Sequence, residues 1–128
     1  MCIRDRIEAL SKELQGHDTV AHYSDAVEMA NSSEGIDVIV ETIGGYGVAL
    51  KIANGALGRG VSLVTANKAM LAVHAAELTS VAESNHAKIG WEAAVGGGIP
   101  CIRALREGCA ANEVSYAAGI LNLSLIHI

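Results

Sequence analysis

No run in this 128-residue chain approaches the roughly 18 uninterrupted apolar residues that a helical membrane span needs. The start carries no secretory signal pattern. Cysteine is scarce. Of three, Cys101 and Cys109 match neither a Cys-x-x-Cys nor a zinc spacing, and they are too few for a disulfide framework, which fits a reducing cytoplasm. Positive charge is also short: nine Lys and Arg against fourteen Asp and Glu give a net charge of −5, a poor balance for nucleic acid. There is no G-x-G-x-x-G fingerprint, no internal repeat and no low-complexity linker. What is present is 51% hydrophobic, enough for a core, at a length of one domain or part of one, roughly 100–200 residues.

The two ends do not read as natural protein. Met1-Cys2-Ile3-Arg4-Asp5-Arg6 can be encoded by a stretch whose reverse complement, read in frame, encodes Leu123-Ser124-Leu125-Ile126-His127-Ile128. That relation resembles a transposase adaptor used in sequencing libraries. Residues 1–6 and 123–128 are therefore expected to be artefacts, excluded from fold reasoning like any fusion scar. Removing them moves the net charge to −6 and leaves residues 7–122 as a fragment of a longer protein.

Between these ends apolar runs alternate with helical spacing, the βαβ signature of a parallel sheet. Residues 7–14 read as the end of a helix and 24–29 as a helical turn capped by Ser24 or Asp25. The β-branched run 36–41 reads as a buried strand that breaks at Gly44-Gly45. Val48, Ile52 and Ala56 then repeat at helical spacing until Gly58 and Gly60, and 61–65 is the next strand. Leu71, Ala75, Leu78 and Val81 mark a helix over 69–84 with Asn85 as a left-handed cap, and 87–91 a third strand. A helix is expected from Pro100 to Gly108, with Ile99, Ile102 and Leu105 inward and Arg103 and Glu107 outward. Residues 113–121 would be a fourth strand, in a different sheet.

Two stretches carry the chemistry. Thr65-Ala66-Asn67-Lys68 and Glu92-Ala93-Ala94-Val95-Gly96-Gly97-Gly98-Ile99-Pro100 each follow an apolar run, and open α/β sheets bind ligands beyond the carboxyl ends of their strands. If Asn67 caps the following helix, Lys68 lies in the first turn, where the helix dipole disfavours a cation by about 0.3–1 kcal/mol. It is then either a solvated lysine whose stem covers apolar surface or a charge aimed at a ligand carbonyl or carboxylate. Gly44-Gly45 is either a plain turn or backbone that lets a phosphate or nicotinamide approach. Three consecutive glycines cost backbone entropy, so Gly96-Gly97-Gly98 is either a hinge or a close approach. Carbonyls of Glu92, Val95, Gly97 and Ile99 could converge there on a hard monovalent cation. Glu92 itself reads as a ligand, a ribose or amine partner, or a solvated carboxylate.

Together these residues resemble homoserine dehydrogenase. The likeness runs from about Asp37 to Asn122. It rests on Glu41-Thr42-Ile43-Gly44-Gly45, Thr65-Ala66-Asn67-Lys68-Ala69 with Leu71-Ala72, Glu92 to Pro100, Ile102-Arg103-Ala104-Leu105-Arg106-Glu107-Gly108 and Gly119-Ile120-Leu121-Asn122. The resemblance implies hydride transfer between NAD or NADP and L-aspartate 4-semialdehyde, giving L-homoserine, in a cytoplasmic enzyme whose parent is a homodimer. It implies that Ile43, Gly44, Thr65 and Asn67 line the nicotinamide side and that Lys68 stands between cofactor and substrate as the catalytic residue of this stretch. It further makes Glu92, Val95, Gly97 and Ile99 backbone ligands of a sodium ion, and sets Gly119 and Asn122 at the start of a substrate loop.

The expected fold is therefore α/β, a partial doubly wound, Rossmann-like parallel sheet. It would lack the first βα unit and carry the start of a second domain: 7–91 nucleotide-binding, 92–122 hinge and start of the substrate and dimerisation domain. The family's glycine-rich phosphate loop and its Asp/Lys proton-transfer pair would lie outside the chain, so the fragment alone is expected to be inactive, and its uncovered sheet to behave poorly in solution. Another two-domain amino- or hydroxy-acid dehydrogenase and a non-catalytic nucleotide-binding regulatory module are the alternatives.

Overall fold

The computed structural model describes residues 23–32 and 34–119. Its first helix, α1 (Ala26–Ser32), begins where Asp25 Oδ1 accepts the amide hydrogens of Val27 at 2.7 Å and Glu28 at 3.1 Å. These are donors that a helix start otherwise leaves unmade, so Asp25 rather than Ser24 is the cap. Then follow β1 (Val38–Glu41), α2 (Val48–Gly58), β2 (Ser62–Thr65), α3 (Lys68–Ser84), β3 (Ile89–Gly90), α4 (Glu92–Val95) and α5 (Cys101–Arg103), which widens into a π-helical turn at Ala104–Gly108.

The strands form one parallel sheet in the order β1-β2-β3, with Ile39 beside Leu63 and Leu63 beside Ile89. Parallel neighbours require a crossover, and α2 and α3 supply it. Because side chains alternate along a strand, Ile39, Glu41, Leu63 and Thr65 are buried while Val38, Val40 and Val64 remain 51%, 68% and 39% exposed. The buried face meets Ile52, Ala53, Ala56 and Leu57 of α2 and Met70, Leu71 and Leu78 of α3 in a single core. Parallel sheets are ordinarily covered on both faces. Among the described residues only one face is.

Helix α1 packs on α2 at Gly55, where an added Cβ would lie 2.7 Å from Asn31 Oδ1, and Arg59 Nη1 donates to the Ala30 carbonyl at 3.0 Å. The α/β parallel architecture is the one the sequence predicts; several details differ. The left-handed residue after α3 is His86, φ 57°, not Asn85, φ −111°. Asn85 instead turns its amide back to donate to the Val81 carbonyl at 2.8 Å, which ends the helix and moves the reversal one residue on. The third strand is only Ile89–Gly90, since the next residue, Trp91, is already the N-cap of α4.

The region after Pro100 departs furthest. Ile99 and Leu105, expected to face inward, are exposed, since no described element packs over them. Residues 113–119 form no strand, and Val114 and Tyr116 are in solvent. The expected helix end at 7–14 and the remainder of the fourth strand lie outside the described residues.

Candidate functional site

Strands β1 and β2 end level with one another, Glu41 beside Thr65. Both point inward where the core closes: Glu41 is 2% exposed, Thr65 1% and the nearby Asn67 4%. A buried carboxylate is tolerated only when partnered, and Glu41 is partnered at both oxygens. Its Oε1 accepts the amide hydrogens of Ile43 at 2.7 Å and Gly44 at 3.2 Å, and its Oε2 accepts the Thr65 hydroxyl at 2.6 Å. Thr65 Oγ1 in turn accepts the Asn67 amide hydrogen at 3.0 Å. Asn67 Oδ1 accepts from the Met70 amide at 3.0 Å, capping α3, while its Nδ2 donates to the Gly45 carbonyl. One network thus joins the loop after β1 to the turn after β2.

The loop itself needs glycine for its conformation. Gly44 and Gly45 have φ of 83° and 67°, a region that side-chain-bearing residues avoid. Space is not the constraint, since a Cβ built at Gly44, Gly45 or Gly47 would meet nothing within 4 Å. The backbone is open above and fastened below.

The sequence-predicted residues therefore fall into two sets. Ile43, Gly44 and Lys68 are exposed along the rim, with Lys68 the first residue of α3 as its cap predicts. Thr65 and Asn67 lie beneath, their side chains engaged in holding the rim in place. Glu41, which the sequence offers only as part of the motif Glu41-Thr42-Ile43-Gly44-Gly45, is the residue to which sequence reading gives no role. Its signal was the period of two: Ile39 inward puts Glu41 inward, as Leu63 does for Thr65.

The second stretch folds into α4 and a tight turn. Glu92 Oε1 accepts the Ile102 amide hydrogen at 2.8 Å and Oε2 that of Arg103 at 3.0 Å, so this carboxylate caps α5 across the glycines. The Gly96 amide donates to the Glu92 carbonyl at 3.0 Å, the Ile99 amide to the Gly96 carbonyl at 3.1 Å and the Cys101 amide to the Ile99 carbonyl at 2.8 Å. Gly97 takes φ 61°, and a Cβ at Gly96 would lie 2.9 Å from the Ile99 oxygen. Two of the four carbonyls expected to hold a cation, those of Glu92 and Ile99, thus already accept one hydrogen bond each. Arg103 Nε donates to Glu107 Oε2 at 2.8 Å in full solvent, and that carboxylate raises the guanidinium pKa. Gly119 is exposed, and Asn122 lies outside the described residues. No described helix is long and apolar enough to cross a membrane.

The family model for the homoserine dehydrogenase NAD binding domain matches residues 1–92. The chain belongs to the homoserine dehydrogenase family. It is 46% identical over 99 residues to homoserine dehydrogenase of Pseudomonas aeruginosa, covering 77% of this chain and 23% of that relative. It is 47% identical over 87 residues to homoserine dehydrogenase of Neisseria gonorrhoeae, covering 68% and 20%. The fold is similar to the crystal structure of a homoserine dehydrogenase from Thiobacillus denitrificans, with a TM-score of 0.65 and 33% identity over 79% of this chain and 23% of that one. A hyperthermophilic archaeal homoserine dehydrogenase in complex with NADPH is similar at a TM-score of 0.61 and 28% identity, covering 79% and 31%. The chain thus spans under a quarter of the length of these two curated relatives.

Proposed function

We propose that this chain is part of an NAD- or NADP-dependent oxidoreductase interconverting L-homoserine and L-aspartate 4-semialdehyde, and that the described residues form the nicotinamide wall of its site. The observation that carries the reading is the pinned, open backbone at Gly44-Gly45, set beside Lys68 at the carboxyl ends of adjacent parallel strands, where such sheets bind their ligands. A flat ring fits against this surface, since no side chain projects from the glycines.

When bound, the nicotinamide supplies or accepts the hydride. The chain's own residues orient and hold. Ile43 offers an exposed apolar side chain to one face of the ring. Lys68 extends its ammonium from the rim towards the substrate oxygen or carboxylate, where a positive charge favours developing negative charge. In the same proposal the carbonyls of Glu92, Val95, Gly97 and Ile99 hold a sodium ion. The donor set suits a hard cation, and the hydrogen-bonded carbonyls of Glu92 and Ile99 each retain a second lone pair. Gly119 and Asn122 begin the substrate loop of a second domain that starts at 92, in a homodimeric cytoplasmic parent.

The test is a chimera in which the matching 99-residue stretch of this chain replaces its counterpart in the Pseudomonas aeruginosa enzyme. It should reduce NAD or NADP in the presence of homoserine, and Lys68→Ala should lower kcat by about a hundredfold, the scale of a lost electrostatic contact to the reacting group. The 128-residue chain alone should show no turnover. A folded chimera that binds the cofactor yet leaves homoserine untouched would overturn the proposal.

A further inference from the structure

We propose that Glu41 is a positioning residue of the nicotinamide wall: by accepting hydrogen bonds at both carboxylate oxygens it sets the Gly44 backbone and Lys68 at a fixed separation. The inference rests on the proposed function above and concerns a residue that touches neither cofactor nor substrate.

The direction of the hydrogen bonds carries it. The Thr65 oxygen accepts the amide hydrogen of Asn67, and its hydroxyl proton is donated to Glu41 Oε2. Ile43 and Gly44 present amide hydrogens to Oε1, and backbone amides can only donate. Every group facing the Glu41 carboxylate in this network is therefore a donor, and the network is complete only if position 41 accepts on both sides. Glutamine, nearly identical in shape, does not satisfy this. With its oxygen towards Ile43 and Gly44, its NH2 can meet only the second lone pair of the threonine oxygen, and the hydroxyl proton loses its acceptor. Flipped, the NH2 opposes two backbone N–H groups. Aspartate keeps both acceptors but is one methylene short of spanning from the β1 loop to β2. The separation between the rim of the first loop and Lys68, one residue beyond Asn67, is thus set by a glutamate beneath both.

The test uses the chimera described above, with Glu41→Gln, Thr65→Val and Thr65→Ser, read by fluorescence titration with NADPH, by KM for homoserine and by thermal melting. Glu41→Gln and Thr65→Val should each raise the NADPH Kd roughly tenfold, the scale of one lost hydrogen bond to a charged group, with KM for homoserine rising alongside because Lys68 shifts with the loop. The double variant should be no worse than the weaker-binding single one, since both remove one shared interaction. Thr65→Ser keeps the hydroxyl and should bind NADPH more tightly than Thr65→Val. If Glu41→Gln fails to fold, the Thr65 pair decides on the same terms. Unchanged Kd in variants that merely melt lower, or equal loss in Thr65→Ser and Thr65→Val, would overturn the inference. Absence of NADPH binding with Glu41 intact would instead overturn the functional reading beneath it.

Discussion

The side chain of Asn67 ties the start of α3 to the Gly45 carbonyl in the loop that follows the preceding strand. Its other atom caps the helix through the Met70 amide. The two roles separate on substitution. Asn67→Asp retains the cap and suits the helix dipole, but sets an oxygen against the Gly45 carbonyl. It should cost about 1–3 kcal/mol, the penalty of an opposed buried polar group, measured by urea denaturation of the chain. Hydrogen exchange at residues 43–45 should accelerate. An aspartate variant as stable as the parent would show that the Gly45 contact contributes nothing.

Gly55 lies in the middle of α2, where replacing glycine with alanine ordinarily stabilises by about 1 kcal/mol. Here the new methyl would sit 2.7 Å from Asn31 Oδ1. Gly55→Ala alone should therefore bring no gain. Combined with Asn31→Ala it should recover the full helical benefit. Additive single effects in a double-mutant cycle would contradict the contact between α1 and α2.

His86 holds φ 57° without glycine's freedom, at a cost of roughly 1–2 kcal/mol for a left-handed side-chain-bearing residue. His86→Gly should raise the melting temperature, and His86→Val should lower it, because branching at Cβ makes that region harder to occupy. A lower melting temperature in the glycine variant would argue that the imidazole itself is stabilising.

Leu63 and Val64 are consecutive on β2 and face opposite ways, Leu63 fully buried and Val64 exposed. Leu63→Ala should destabilise by about 2–5 kcal/mol, through lost burial and the cavity left behind. Val64→Thr should change stability by less than about 0.5 kcal/mol, as surface substitutions do. Equal losses at the two positions would mean that the outer face is covered in solution.

Much of the α/β order was legible because each element from 26 to 84 carries its own periodicity and its own stop. Ile39 and Leu63 alternate with outward valines, Asn67 caps α3, and Gly58 and Gly60 close α2. The exposed positions of Gly44 and Lys68 were legible from their place at strand ends, whereas Ile43 was offered by the family likeness alone. The inward face of Thr65 follows from Leu63 by the period of two, but its bond to Glu41 and that of Asn67 to the Gly45 carbonyl were not legible, since each partner lies in another element. Nor was the role of Glu92, whose acceptors reach amides ten and eleven residues on. After Pro100 local pattern was all there was to read. Ile99 and Leu105 are spaced for an inner face, but the described residues provide nothing for that face to meet.

The row of Val38, Val40 and Val64, uncovered among the described residues, governs how the chain must be handled. Attraction between such apolar surfaces is entropic near room temperature and fades on cooling, whereas sulfate and phosphate strengthen it. Preparations of this chain should therefore cloud on warming or in those buffers and clear again in the cold, opposite to the behaviour of a protein held in solution chiefly by its charge.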